Sequence, residues 1–145
     1  MIKEKLQTVL DSSKGERDVA SFLKENPWVL LKSLVSLGDS SAVISEFRIG
    51  NEYVADFVVF APFSGAFEIR FVELEPPDTP IFNKDGTLSK RMNKGFQQVN
   101  SWNQYIKKNR SSVLKDLSRH VQEKDLVHPE WKDERTCHVG WPLYH

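Results

Sequence analysis

Length and composition define the class of protein. The chain has 145 residues, of which 39% are apolar and 28% charged, so we expect one globular domain over residues 1–145. No apolar run approaches the roughly 20 residues of a membrane span, and the N-terminus has no signal-peptide pattern. The single cysteine excludes a disulfide scaffold and a zinc finger. These features predict a soluble, cytoplasmic protein with no membrane partner.

The charges are distributed unevenly, although the formal net charge is zero. Residues 1–83 carry eight Lys and Arg against thirteen Asp and Glu, whereas residues 84–119 carry nine against two. Such a cationic stretch is typical of a surface that contacts nucleic-acid phosphates, and it is also typical of a solvated helix face. The candidate phosphate contacts are Lys90, Arg91, Lys94, Lys107 and Lys108.

The first third of the chain has helical periodicity over residues 6–37. Gly15 separates a short first helix from a second one. Pro27 ends the second helix near Glu25 and restarts it, because proline fits only the first turn of a helix. Alternating apolar residues then predict three strands, at 42–49, 53–60 and 67–74.

A long loop at 76–91 follows the third strand, and loops of that length are typically functional or mobile. The pattern after it predicts helices at 92–108 and 112–121 and a last strand at 136–141. The first of these helices has an apolar stripe that we expect to face the core: Met92, Phe96, Val99, Trp102 or Asn103, and Ile106. The order α-β-β-β-α-β predicts an α/β domain with a mixed central sheet flanked by helices.

The connection between the second and third strands determines which of their residues face each other. Residues 62–65 are short enough for an antiparallel hairpin. With a two-residue loop at 64–65, Asp56 lies directly opposite Glu73, whereas a longer loop shifts that register by one or two residues. Strand alternation also places Glu73 and Glu75 on the same face.

Carboxylates that face each other across two strands repel unless something neutralises them. A divalent cation would do so, and hard oxygen ligands of this kind favour Mg²⁺ or Mn²⁺. Glu16 upstream and Gln97 or Gln98 downstream could complete such a site. The alternative interpretation is that Glu73 and Glu75 are the solvated end of a strand.

Four segments of the chain resemble a known family. They are GERDVASFLKENPWVL, ISEFRIGNEYVADFVVF, FVELEPPDTPIF and FQQVNSWNQYI. Together they are similar to the nuclease domain of Shedu anti-phage defence proteins, within the PD-(D/E)XK nuclease superfamily. The resemblance spans roughly residues 15–106 and implies a restriction-endonuclease-like core.

The resemblance also implies roles for individual residues. Asp56 and Glu73 would be metal ligands, Glu16 would support the metal from the first helix of the motif, and Gln97 or Gln98 would lie beside the site. Glu75 occupies the position that usually holds lysine, the residue thought to position or activate the attacking water. This departure places the catalytic activity in question, although some superfamily members carry glutamate there.

Three hypotheses follow. The leading one is a Mg²⁺- or Mn²⁺-dependent endonuclease that hydrolyses DNA phosphodiester bonds in anti-phage defence. The second is a nucleic-acid-binding or assembly module that keeps the fold but has lost cleavage, and the third is a purely structural domain whose carboxylates never meet. The sequence leaves open whether the protein forms a homo-oligomer.

Overall fold

The computed structural model describes residues 1–13, 15–35, 41–63 and 66–123. Within those ranges it contains eight elements: α1 (Ile2–Ser12), α2 (Glu16–Glu25), α3 (Trp28–Leu34), β1 (Ala42–Ile49), β2 (Tyr53–Phe63), β3 (Ala66–Val72), α4 (Lys90–Lys108) and α5 (Arg110–Glu123). The last strand expected at 136–141 lies outside the described residues. Among the helices that are described, none is long and apolar enough to cross a membrane.

The N-terminal helices are divided at the two predicted points. Gly15 is the N-cap of α2, and Pro27 is the N-cap of α3. Asn26 caps the C-terminus of α2. Its backbone N–H and its side-chain amide both donate hydrogen bonds to the Phe22 carbonyl oxygen at 2.9 Å. Glu16 is therefore the first helical residue of α2, where a negative charge interacts favourably with the helix dipole.

The three strands form an antiparallel sheet in the order β1-β2-β3. Phe63 pairs with Ala66 and Phe57 pairs with Val72, which confirms the register predicted from a two-residue loop. The expected α/β class is confirmed. All strand pairs within the described residues are antiparallel, so the mixed sheet and the restriction-endonuclease-like core stay predictions.

Helices cover both faces of the sheet, and each face has its own buried cluster. On one face, α1, α2 and α3 pack against the side of β2 that carries Phe57 and Val59. On the other face, α4 and α5 contribute Trp102 and Leu117 to a cluster with Val58. Elements from the two sides therefore meet at the margin of the sheet, where the start of α2 and the start of α4 approach the end of β3.

The apolar stripe predicted on α4 is only partly correct. Trp102 is almost completely buried and Ile106 packs against the same core, as expected. Phe96 and Val99, however, are 57% and 41% exposed, so their assignment to the core was wrong. At that point the side of α4 that faces the end of β3 carries Gly95 and Gln98 instead, which are half-buried, and Gly95 lies against the Glu75 carboxylate.

The β1–β2 pair has an irregularity directly opposite Asp56. The ladder pairs Ser45 with Phe57 and Phe47 with Ala55 but omits the intervening pair, and Glu46 adopts a positive φ of 55°. Both Ala55 and Val58 consequently face the core under α4 and α5, although residues three apart point to opposite faces of a regular strand. Non-glycine residues with positive φ are uncommon and concentrate at functional sites.

The β1–β2 turn holds the C-terminal half of α4 in place. Gly50 has φ 62°, and a Cβ added there would lie 2.0 Å from the hydroxyl oxygen of Tyr105. The glycine is therefore needed both for the turn conformation and for close approach of the tyrosine. This contact fixes α4 relative to the sheet, and so fixes the position of the residues in its first turns.

Candidate functional site

An open cleft of about 500 Å³ lies where β3 ends, between the start of α2 and the start of α4. Its walls carry both acidic and basic side chains. The lining residues are Glu16, Glu73, Leu74, Glu75, Lys90, Arg91, Lys94 and Gln98. The cleft therefore unites residues that are distant in sequence, from three separate elements of the fold.

The Asp56 side chain on β2 contacts the backbone of the segment that follows β3. The last ladder pair before the site is Phe57 with Val72, so the next two residues, Asp56 and Glu73, face each other as the hairpin register predicts. The chain then separates from β2, and the Asp56 carboxylate accepts a hydrogen bond from the Leu74 backbone N–H at 2.7 Å. Asp56 thus holds the segment that carries Glu73 and Glu75.

Glu73 has an unusual electrostatic environment. Burial and then the neighbouring charges of Asp56, Glu75 and Glu16 raise the pKa of Glu73 from 4.5 to about 7, and a hydrogen bond with the Asp56 side chain adds to the effect. The rise has the sign expected when carboxylates converge in a partly buried place. The solvated strand end considered from the sequence does not fit this environment.

Glu75 lies against α4 and is bound by a cation. Its Oε2 accepts a 2.6 Å hydrogen bond from Arg91 Nε, while an arginine terminal nitrogen reaches Glu16 Oε2 at 3.4 Å. On the other side, a Cβ added at Gly95 would lie 2.9 Å from Glu75 Oε1. A glycine in the middle of a helix costs about 1 kcal/mol relative to alanine, and here it leaves room for the carboxylate.

The first turns of α4 carry three of the five predicted phosphate contacts. Lys90, Arg91 and Lys94 line the cleft. Lys107 and Lys108 occupy the last turn of the same helix, which at 1.5 Å per residue is about 25 Å farther along its axis. The structure therefore brings the first three together with the carboxylates and leaves the last two at a distance.

The glutamine on α4 that faces the carboxylates is Gln98. It lines the same cleft as Glu73 and Glu75, whereas Gln97 lines a neighbouring depression with Asn93 and Lys94. The sequence left Gln97 and Gln98 as alternatives for this position. The helical phase of α4, which is set by Trp102 in the core, favours Gln98.

The donor set suits a small hard cation rather than a metal held entirely by protein. Within the part of the chain that the structure describes, no group of three or more acidic, histidine or cysteine side chains is arranged to hold a metal ion. Mg²⁺ typically takes one or two carboxylates, several waters and substrate phosphate oxygens. Asp56 and Glu73 supply two carboxylates, and their mutual repulsion is what such a cation would relieve.

Two features of the site were missed from the sequence. The first is the bridge from Arg91 to Glu75 and Glu16, which depends on the approach of α2 and α4 and has no local signal. The second is the irregularity at Glu46, and this one has a signal. In the sequence, the apolar alternation Ala42, Ile44 resumes at Phe47 and Ile49, so the three-residue step from 44 to 47 indicates a change of phase.

Comparison with known proteins gives one family. Residues 13–133 match the family model described as Shedu protein SduA, C-terminal. This range includes Glu16, Asp56, Glu73, Glu75 and the cationic start of α4. Searches of curated proteins and of solved structures found no match.

Proposed function

This chain belongs to the Shedu SduA C-terminal family of anti-phage defence proteins, and we propose that it acts as a Mg²⁺-dependent endonuclease that hydrolyses DNA phosphodiester bonds. Mn²⁺ would serve in place of Mg²⁺. The proposal includes membership of the PD-(D/E)XK superfamily and DNA as the partner. The observation that carries it is the meeting of Asp56 and Glu73 at the end of β3, beside a cleft with glutamates on one wall and basic side chains on the other.

The carboxylates would hold the cation at the end of β3. Asp56 is fixed by its bond to the Leu74 N–H, and Glu73 lies beside it with a pKa raised by burial and by the charges of Asp56, Glu75 and Glu16. A bound Mg²⁺ would supply charge stabilisation and an acidified water. Loss of the proton from Glu73 near neutral pH would make its carboxylate available as a ligand.

The remaining residues act on the water and the phosphate. Glu75 would accept a hydrogen bond from the attacking water, since its carboxylate faces the cleft beside Glu73. Lys90 and Lys94 would hold phosphate oxygens as point charges on the opposite wall. Glu16 would support the acidic wall from the first turn of α2.

An alternative proposal is a binding or assembly module that has lost cleavage. The observation that favours it is Glu75, which stands at the position where the superfamily usually has lysine. Its carboxylate is bound to Arg91 at 2.6 Å, an arrangement that a purely binding domain could also keep. The two proposals differ in whether Glu75 is needed for cleavage.

Glu75→Gln tests this difference. In the endonuclease proposal, we expect the variant to lose most Mg²⁺-dependent cleavage of plasmid DNA, about 10²-fold or more, because a proton acceptor near the reacting water typically contributes 10²–10⁴-fold. DNA affinity and thermal stability should change little, since the side-chain volume is kept. The matched control is Glu52→Gln, which removes an exposed carboxylate in the β1–β2 turn.

The assay should include single-stranded, duplex and nicked DNA, each with Mg²⁺, with Mn²⁺ and with EDTA. Metal-dependent cleavage by the wild-type protein that falls in Glu75→Gln but not in Glu52→Gln supports the endonuclease. DNA binding without cleavage on any substrate supports the binding module. Cleavage that persists undiminished in Glu75→Gln contradicts the role given to this residue.

A further inference from the structure

We infer that Arg91 is an internal counter-ion of the cleft, whose positive charge on Glu75 and Glu16 opposes the binding of a divalent cation to the neighbouring Asp56 and Glu73. The inference rests on the proposed function, because it concerns how the same site takes up its metal. It adds a competitor within the chain itself, and it makes the cleft a site whose metal affinity is limited by one arginine.

The contacts of Arg91 span the two sides of the cleft. Its Nε lies 2.6 Å from Glu75 Oε2 and its terminal nitrogen lies 3.4 Å from Glu16 Oε2. Glu75 follows β3 and Glu16 begins α2, so one guanidinium joins two elements that are 59 positions apart in sequence. The hydrogen bond to Glu75, with the nearby charges of Glu75, Glu16 and Asp78, raises the pKa of Arg91.

This bridge is short, but its side chains are partly exposed to solvent. The Arg91 side chain is 54% exposed, and those of Glu75 and Glu16 are 23% and 49% exposed. Ion pairs open to solvent typically stabilise a fold only slightly, because water screens them and the long side chains lose conformational freedom. A divalent cation bound at Asp56 and Glu73 can therefore compete with the guanidinium for the negative charge of Glu75 and Glu16 without unfolding the site.

The position of Arg91 on α4 points the same way. It lies in the first turn of the helix beside Lys90, and that turn has no acidic residue. Cations at a helix N-terminus interact unfavourably with the helix dipole. An arginine at this position therefore does not stabilise the helix. Its contacts with Glu75 and Glu16 across the cleft explain its presence instead.

The balance of charges in the cleft predicts how the metal affinity changes when the Arg91 charge is removed. Three carboxylates and three cationic side chains line it, and the guanidinium is the cation bonded to two of those carboxylates. Removing that charge leaves the carboxylates less compensated, so their attraction for a divalent cation should increase. For charges a few ångströms apart near a protein surface, the expected gain is roughly three- to tenfold in affinity.

Mn²⁺ titration of the full chain without DNA tests the inference, with free Mn²⁺ measured by electron paramagnetic resonance. We expect Arg91→Gln to bind Mn²⁺ three- to tenfold more tightly than the wild type. Arg91→Lys, which keeps the charge, should stay within about twofold of it. The matched control is Arg119→Gln, which removes an exposed arginine paired with Asp116 on α5 and should leave the affinity unchanged.

Three outcomes distinguish this inference from the proposed function. Equal Mn²⁺ affinity in wild type and Arg91→Gln, with binding lost in Asp56→Asn, overturns the counter-ion role and leaves the metal site intact. An equal increase in Arg91→Gln and Arg119→Gln also overturns it, because the effect would then be one of net charge. Absence of Mn²⁺ binding in every protein overturns the proposed function, and the inference with it.

Discussion

Asp56→Asn should lose Mg²⁺-dependent DNA cleavage by at least about 10²-fold and lose the rise in melting temperature that Mn²⁺ gives the wild type. Removal of a metal ligand eliminates the linkage between cation binding and folding. The fold should survive, because the asparagine carbonyl oxygen can still accept the hydrogen bond from the Leu74 N–H that Asp56 accepts at 2.7 Å. Differential scanning fluorimetry with and without Mn²⁺, together with plasmid cleavage, measures both effects.

Asp56→Ala is the matched comparison, since it removes both the charge and the acceptor. The Leu74 N–H would then have no partner, and an unsatisfied buried donor costs about 1–3 kcal/mol. We expect Asp56→Ala to be less stable than Asp56→Asn by about 1 kcal/mol in urea denaturation, because this N–H is only partly buried. Wild-type cleavage or a wild-type Mn²⁺ shift in either variant would show that Asp56 is not a ligand.

Glu73→Gln should change how stability depends on pH. Burial, Asp56, Glu75 and Glu16 raise the pKa of Glu73 from 4.5 to about 7, so the folded protein holds this proton more tightly than the unfolded chain does. The stability that protonated Glu73 contributes to the fold is complete below pH 4.5 and is lost as pH rises through about 7. Metal-free wild type should therefore lose stability relative to Glu73→Gln between these values.

The loss should be about 1 kcal/mol, because water screens a group that is less than half buried. Urea denaturation in EDTA at pH 4.5 and pH 8 measures it, with Glu52→Gln as the control that should parallel the wild type. The same proton must leave before a cation binds, so Mn²⁺ affinity should fall by up to about tenfold per pH unit below pH 7. If neither the stability difference between wild type and Glu73→Gln nor the Mn²⁺ affinity changes with pH over this range, the environment assigned to Glu73 is contradicted.

Much of the fold follows from local chemistry in the sequence. Gly15 is an extended N-cap that starts α2, and Pro27 starts α3 because a proline in a helix interior would break the hydrogen bonding of the preceding turn. The pairing of Phe63 with Ala66 fits the register predicted from the hairpin, and that register sets the facing positions of Asp56 and Glu73. The facing positions of Asp56 and Glu73 were therefore predictable from strand geometry, whereas no strand pattern places Glu16 beside them.

Other parts depend on tertiary packing that no local pattern contains. Phe96 and Val99 have core spacing yet are exposed, because α4 is rotated by the burial of Trp102 and the close approach of Gly95 to Glu75. The Arg91 bridge requires α2 and α4 to meet at the margin of the sheet. The strand expected at 136–141 lies outside the described residues, so the mixed sheet stays a prediction.

The most direct test of the metal site is a crystal structure of the wild-type protein with Mn²⁺, using the anomalous signal of the ion. We predict one peak bonded to carboxylate oxygens of both Asp56 and Glu73 at about 2.0–2.3 Å, with the Arg91 guanidinium moved away from Glu75. The Asp56→Asn protein under the same conditions should have no peak there. A wild-type structure whose Mn²⁺ binds elsewhere, while Asp56 and Glu73 keep no metal, would contradict the account.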